Sequence, residues 1–105
     1  MIDFLINAIM KHYTWNPEKN MTLKRERNIS FEEIVFHIEQ GDEIDIYEHP
    51  NQELYKEQKI SVIIIDNYAY LVPFVESETE IFLKTIIPSR KATKKISRRI
   101  DNEFR

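Results

Sequence analysis

The chain has 105 residues, of which 42% are hydrophobic and 31% charged, so it is expected to form one globular domain and is too short for two cores. It has no cysteine and one glycine, which excludes disulfide frameworks, thiol nucleophiles, cysteine-ligated zinc and glycine-rich phosphate-binding loops. The net charge of −3 is divided unevenly. Residues 84–105 hold eight basic and two acidic side chains, a net of +6, which leaves −9 for residues 1–83.

Residues 1–11 are predicted to be a short helix or an extension before a single domain of residues 12–105. Their apolar stretch is much shorter than the ~18 residues that a membrane span requires. No basic segment stands before it, as one does in a signal peptide. We therefore expect a cytoplasmic protein that does not bind membranes.

A short strand at residues 12–15 is expected to lead into a first helix. Asn16 can cap that helix, and Pro17 suits its first position, where no amide hydrogen is needed. The helix should extend to about residue 27, with basic residues late, where the helix dipole favours them.

A second helix is predicted from a capping box formed by Ser30 and Glu33. Gly41 is expected to end it in the left-handed conformation. The apolar residues recur at i, i+3, i+4 and i+7, which predicts one buried stripe made of Phe31, Ile34, Val35 and Ile38.

Four strands are predicted in the middle of the chain, at residues 44–49, 59–65, 68–75 and 81–87. The first alternates in polarity and should be half-exposed, whereas the second is β-branched on both faces and should be central. Pro73 implies a bulge or a locally unpaired edge in the third strand. Pro88 is expected to stop the fourth.

The last predicted element is a helix at about residues 90–104, capped by Ser89. Its narrow apolar stripe leaves cations on most of its surface, and consists of Ala92, Ile96, Ile100 and Phe104. The whole order predicts an α+β domain with a four- to five-stranded antiparallel sheet, two N-terminal helices and a basic C-terminal helix.

Three segments resemble the BrnT family of toxins from type II toxin–antitoxin pairs. They are residues 15–20 (WNPEKN), 29–33 (ISFEE) and 88–94 (PSRKATK), in the family's order and with compatible spacing. The resemblance covers residues 12–96. Arg27 stands where the family often has histidine, and Thr85 stands where it has an arginine on the last strand.

This resemblance implies a RelE-like fold and a metal-independent endoribonuclease that inhibits translation. Its expected partners are RNA and a BrnA-like antitoxin, whose ribbon-helix-helix part would bind operator DNA. We expect no cofactor and no metal, and a homodimer stays open. The three histidines, moreover, lack the helical spacing of a two-histidine metal site.

Metal-independent RNA cleavage needs a base for the 2′-hydroxyl, cations for the charged phosphorane and an acid for the leaving oxygen. The candidate catalytic residues are Lys84, Arg90, Arg27 and His49. On strand parity Lys84 shares a face with Phe82 and Ile86, so it either reaches the rim as a surface lysine or points into a groove. His49 titrates in the useful range, but a loop histidine before proline also suits a structural role.

The candidate RNA-binding residues are Trp15, Lys19, Lys24, Lys91 and Lys94. The tryptophan is either a core anchor or a platform for base stacking. Arg90 and Lys91 open a helix, where an anion would relieve the unfavourable dipole interaction, unless carboxylates of this chain or a partner neutralise them. The lysines of the first helix form either part of a cationic face or a solvated surface.

Two other functions are compatible with the same residues. The protein is alternatively a non-catalytic partner of an antitoxin-like or regulatory protein, through its basic helix and acidic middle. A third hypothesis is nucleic-acid binding without cleavage through the +6 end, with an affinity that falls steeply as salt rises.

Overall fold

The computed structural model describes residues 11–103, and the side chains of residues 11–100. The predicted helix or extension at residues 1–11 therefore lies almost entirely outside the described residues. The elements follow the predicted order: β1 His12–Trp15, α1 Pro17–Arg27, α2 Phe31–Glu39, β2 Glu43–Glu48, β3 Gln58–Ile65, β4 Tyr68–Glu76, β5 Glu80–Leu83, β6 Ile87–Pro88 and α3 Arg90–Glu103.

The strands form one mixed sheet of order β1-β5-β4-β3-β2, with β6 pairing β4 beyond the end of β5. Neighbours from β2 to β6 pair antiparallel, but β1 pairs parallel to β5, so the prediction of a purely antiparallel sheet was wrong. Direct hairpins reverse the chain between the later strands. No hairpin joins β1 to its neighbour, because two helices and three strands separate them along the chain.

The main core lies between the sheet and the pair of helices α1 and α2. Its buried residues come from both layers and are Leu23, Ile29, Phe31, Ile34, Ile63, Ile65, Val72, Phe74, Leu83 and Ile86. Helix α3 packs against β4 on the opposite face of the sheet. Neighbouring residues of a strand point to opposite faces: Ile63 of β3 lies in the main core, and Val62 lies beside α3. The domain is thus an α+β fold with one helical pair on one face and a cationic helix on the other.

The helix ends form as the local sequence predicts. The Asn16 side chain accepts hydrogen bonds from the amides of Glu18 and Lys19, at 2.8 and 3.1 Å. Ser30 Oγ accepts from the Glu33 amide at 3.1 Å, which caps α2. Gly41 has φ +88°, the left-handed conformation expected after that helix.

The fourth predicted strand is interrupted, which corrects the expectation of a continuous strand over residues 81–87. Strand β5 ends at Leu83, and only Ile87 and Pro88 pair again with β4. Pro73 of β4 explains the break: its carbonyl accepts from the Lys84 amide at 2.8 Å, but it has no N–H to continue the ladder on that side. Pro73 thus lies at a locally unpaired edge, as predicted, and the last strand ends at Pro88, one residue beyond the predicted end at Ile87.

Strand β2 is more exposed than its alternating pattern predicts. It is the edge strand farthest from β1, and its exposed apolar side chains include Ile44, Ile46 and Tyr47, at 45%, 49% and 39% exposure. An edge strand has a neighbour on one side only, and the described helices leave most of this strand uncovered. Both faces of β2 therefore present apolar surface.

Candidate functional site

The segment between β5 and α3 carries the first two candidate cations. Lys84 follows the last residue of β5 and is exposed, with Nζ 5.4 Å from the centre of the Phe82 ring. Ile86, by contrast, is fully buried in the core. The expectation that Lys84 shares a face with Phe82 and Ile86 is therefore wrong for Ile86. Strand β5 ends at Leu83, so the alternation of side chains between the two faces does not continue to residue 86.

Arg27, at the end of α1, contacts this segment although it lies 59 residues from Ile86 in the sequence. Its Nη1 donates to the carbonyl oxygen of Ile86 at 2.5 Å, at a position where α1 ends and its dipole favours a cation. A guanidinium has five N–H donors. One bond to a carbonyl thus fixes the side chain and leaves other donors for an anion.

The first turn of α3 is fixed to the sheet by neighbouring polar groups. Ser89 Oγ accepts from the Ala92 amide at 3.1 Å, and Thr93 Oγ1 accepts from the Ala69 amide at 2.8 Å while donating to the Ser89 carbonyl at 2.7 Å. Arg90 is exposed at this turn, which contains no acidic residue. Its charge is therefore held at the start of a well-anchored helix.

The exposed cations of this region have no carboxylate partner within the described side chains. Across residues 11–100 the ion pairs are Lys11–Glu76 at 3.0 Å, Lys24–Glu32 at 3.1 Å and His37–Asp42 at 2.8 Å. None of them includes a cation from Lys84 onward. The unmatched group consists of Lys84, Arg90, Lys91, Lys94, Lys95, Arg98 and Arg99.

Three candidate RNA-binding residues lie on or near α1. Trp15 is half-buried and stacks on Phe31 of the core, with ring centres 5.7 Å apart and planes at 24°. One ring face is thereby engaged in packing, as a core anchor would be. Lys24 pairs with Glu32, whereas Lys19 is exposed in the first turn of α1.

His49 follows the edge strand β2, three strands across the sheet from β5 and the cationic segment. Its amide donates to the Gln58 carbonyl at 2.9 Å, its ring packs 4.2 Å from the Tyr55 ring, and Nδ1 accepts from the Asn51 amide at 3.0 Å. Strands β3 and β4 separate β2 from β5, a lateral distance of about 14 Å at ordinary strand spacing. The structure does not bring His49 next to Lys84.

Asn20 is a structural residue whose role the sequence reasoning missed. It is 5% exposed; its Oδ1 accepts from the Phe31 amide at 2.8 Å, and its Nδ2 donates to Glu32. These bonds join the middle of α1 to the first turn of α2. The hydrogen bond from Asn20, followed by that from Lys24, lowers the pKa of Glu32 below its ordinary value of 4.5. An asparagine inside a predicted helix was the available signal, since it is a poor helix former.

A small cavity on the α2 face of the sheet is lined by acidic side chains, in contrast to the cationic surface of α3. It measures about 120 Å³ and is lined by Tyr13, Glu43, Glu76 and Lys59 among others. Burial, and then the carboxylates of Glu43, Glu39 and Glu76, raise the pKa of Tyr13. The carboxylates of Glu43 and Glu76 make this cavity unsuited to phosphate.

Neither a metal cluster nor a membrane helix is found where the structure describes the chain. Within residues 11–100, no three His, Asp or Glu side chains come together as a metal-binding group. None of the helices in the described part is long and apolar enough to cross a bilayer. The chain matches none of the protein-family models, curated proteins or solved structures compared with it.

Proposed function

We propose that this protein is a BrnT-like endoribonuclease of a toxin–antitoxin pair. The observation that carries the proposal is the hydrogen bond from Arg27 to the Ile86 carbonyl, because it attaches a guanidinium to the segment that also bears Lys84 and Arg90. Within the described side chains, none of the three cations is paired with a carboxylate. The type of reaction is the one implied by the resemblance of three segments to the BrnT family.

In the proposed reaction the 2′-hydroxyl of RNA attacks the adjacent phosphorus, and the 5′-oxygen of the next nucleotide leaves. The products are a 2′,3′-cyclic phosphate and a 5′-hydroxyl. Arg27, Lys84 and Arg90 stabilise the negative charge that builds up on the phosphorane oxygens. We assign no proton transfer to His49, because its strand is about 14 Å away across the sheet.

RNA beyond the cleavage point would lie along the exposed cations Lys91 and Lys94 of α3. On α1 Lys19 is exposed and remains a candidate RNA contact, whereas Lys24 is already paired with Glu32. The order of two helices, a sheet and a basic helix supports a RelE-like arrangement. A BrnA-like antitoxin in the cytoplasm would complete the system, and it alone would bind operator DNA.

RNA digestion in excess EDTA tests the reaction. We expect wild-type protein to produce fragments with 2′,3′-cyclic phosphate ends. Replacing Arg27 with alanine should lower the cleavage rate about 100-fold, the usual effect of losing one charge-stabilising donor. Arg25→Ala is the matched control, since Arg25 is an exposed arginine of the same helix with no hydrogen bond to the 84–90 segment.

Two results would contradict the proposal. One is intact RNA after incubation with wild-type protein whose circular dichroism shows that it is folded. The other is equal cleavage by the Arg27→Ala and Arg25→Ala variants.

The row of unmatched cations on α3 favours a second candidate, RNA binding without cleavage. In that case wild-type protein would shift RNA in a gel at low salt and leave it uncut. Arg27→Ala would then change the affinity by no more than other single phosphate contacts do.

A further inference from the structure

A groove lies between α3 and the sheet face formed by β2, β3 and β4. It has a volume of about 450 Å³. Its aliphatic lining comes from Val62 and Leu71 of the sheet and from Ile96 of α3. Its β2 rim carries the exposed apolar side chains of Ile44 and Tyr47. We call this the α3 groove. A cleft of this volume with an aliphatic lining and a few charged groups is the usual form of a binding site.

The helix wall of the α3 groove carries a regular row of positive charge. Lys91, Lys95 and Arg99 line it at i, i+4 and i+8, which places them about 6 Å apart along the helix axis. Asp45 is the acidic residue on the opposite wall, and it forms no ion pair with the three cations. Instead, Asp45 Oδ1 accepts from the Ile46 amide at 2.9 Å.

The Asp45 bond also bears on how an occupant could bind. It satisfies the Ile46 amide on the edge strand, so this edge is less able to recruit a further strand. Burial, and then the charge of Asp45, raise the pKa of Tyr47, whose side chain lies on the rim. The groove therefore offers side-chain contacts in preference to backbone pairing.

We propose that the α3 groove binds an acidic amphipathic helix of a partner protein. Carboxylates at every fourth position of such a helix would match the spacing of the three cations, and its apolar face would cover the aliphatic lining. RNA supplies the charge but no aliphatic surface for that lining.

This inference extends the proposed function and rests on it only for the consequence of binding. Lys91 belongs both to the groove and to the predicted RNA contacts. A helix in the groove would therefore compete with RNA and silence cleavage. Binding itself requires no catalytic activity, so the two proposals can fail separately.

Fluorescence anisotropy with a synthetic peptide tests the groove directly. The probe is an amphipathic helix of about four turns, with leucine on one face and glutamate at every fourth position beside it. We expect wild-type protein to bind it and to ignore the same peptide with lysine in place of glutamate. The bound peptide should also slow RNA cleavage by wild-type protein.

Adjacent arginines of α3 provide a matched pair of variants. Arg99 lines the groove and Arg98 does not, although both are exposed. Arg99→Glu should weaken peptide binding at least about tenfold, because attraction becomes like-charge repulsion. Arg98→Glu should change it by no more than about twofold, as for an exposed charge outside the contact.

Two exposed residues of β2 supply a second pair. Tyr47 lines the α3 groove, whereas Ile46 lines the cavity on the opposite face. Tyr47→Glu should weaken peptide binding and Ile46→Glu should not. Circular dichroism of each variant shows whether its fold is retained.

Three outcomes would overturn the groove proposal. The Arg98 and Arg99 reversals, or the two β2 variants, weaken binding equally. The acidic peptide fails to bind folded wild-type protein. A short RNA, and not the acidic peptide, binds in a way that the Arg99 reversal weakens and the Arg98 reversal does not, which would assign the groove to nucleic acid. If the peptide binds with the expected pattern while wild-type protein cleaves no RNA, the nuclease proposal fails and the groove proposal stands.

Discussion

At the scale of single residues, Asn20 connects α1 and α2 from a buried position. It is buried in α1, and its side-chain oxygen accepts from the Phe31 amide in the first turn of α2. That amide has no partner within its own helix, because the first amides of a helix lack an acceptor. One side chain therefore caps a neighbouring helix across the core.

We expect Asn20→Ala to lower the free energy of unfolding by about 1–3 kcal/mol, the range for leaving a buried polar group unsatisfied. Urea denaturation followed by circular dichroism measures this. Glu32→Gln is the control: it keeps an acceptor for the Asn20 amide and removes the exposed pairing with Lys24, which should contribute little. Equal losses in the two variants would contradict the assigned role.

Glu32 adds a small pH dependence with a defined sign. Its pKa is lowered in the folded protein, so its stabilising effect is present above the ordinary value of 4.5 and is lost as pH falls through the lower folded pKa. The side chain is about half exposed, so solvent screening keeps this effect small.

At the scale of elements, Thr93 fastens α3 to the sheet. Its hydroxyl accepts from the Ala69 amide of β4 and donates to the Ser89 carbonyl. Ala69 is fully buried, so its N–H has no access to water. The threonine of the BrnT-like segment PSRKATK is thus explained by packing, whereas the adjacent cations form no ion pair among the described side chains.

We predict that Thr93→Val destabilises the protein by about 1–3 kcal/mol, since it keeps the shape and leaves the Ala69 amide unsatisfied. Thr93→Ser keeps the hydroxyl and should lose much less. Urea unfolding gives the free energies, and hydrogen exchange at the Ala69 amide should become faster in the valine variant alone. Similar unfolding midpoints for the two variants would show that the hydroxyl is not the anchor.

At the scale of the whole molecule, positive and negative charge are segregated. Residues 84–105 carry a net +6, and the stretch from Glu32 to Glu57 has nine acidic residues against the single base Lys56. Uncompensated like charges repel each other and favour a ligand of opposite sign. Attraction to RNA should therefore arise at one end of the molecule only.

We expect the RNA affinity to fall linearly with salt concentration on a logarithmic plot, with a slope that reports the number of phosphate contacts. Arg27→Ala protein is used so that RNA stays intact during titration. Adding Lys94→Ala should reduce the slope by about 0.7, the value for one contact with single-stranded RNA. Adding Lys56→Ala, in the acidic region, should leave it unchanged; an equal reduction by both would argue for nonspecific charge attraction.

The sequence alone determined the features that depend on neighbouring residues. The caps at Asn16 and Ser30, the left-handed Gly41 and the order of the elements were all predicted, because capping and periodicity act within a few residues. The cationic character of the last helix was likewise visible in its composition.

Only the tertiary structure decided which distant residues meet. The parallel pairing of β1 with β5, the position of Pro73 opposite Lys84 and the bond from Arg27 to Ile86 all join parts of the chain that are far apart in sequence. The α3 groove is likewise formed by a helix and strands that no local pattern links. Strand pairing depends on side-chain packing across the whole sheet, so local periodicity predicts that strands exist but not which neighbours they take.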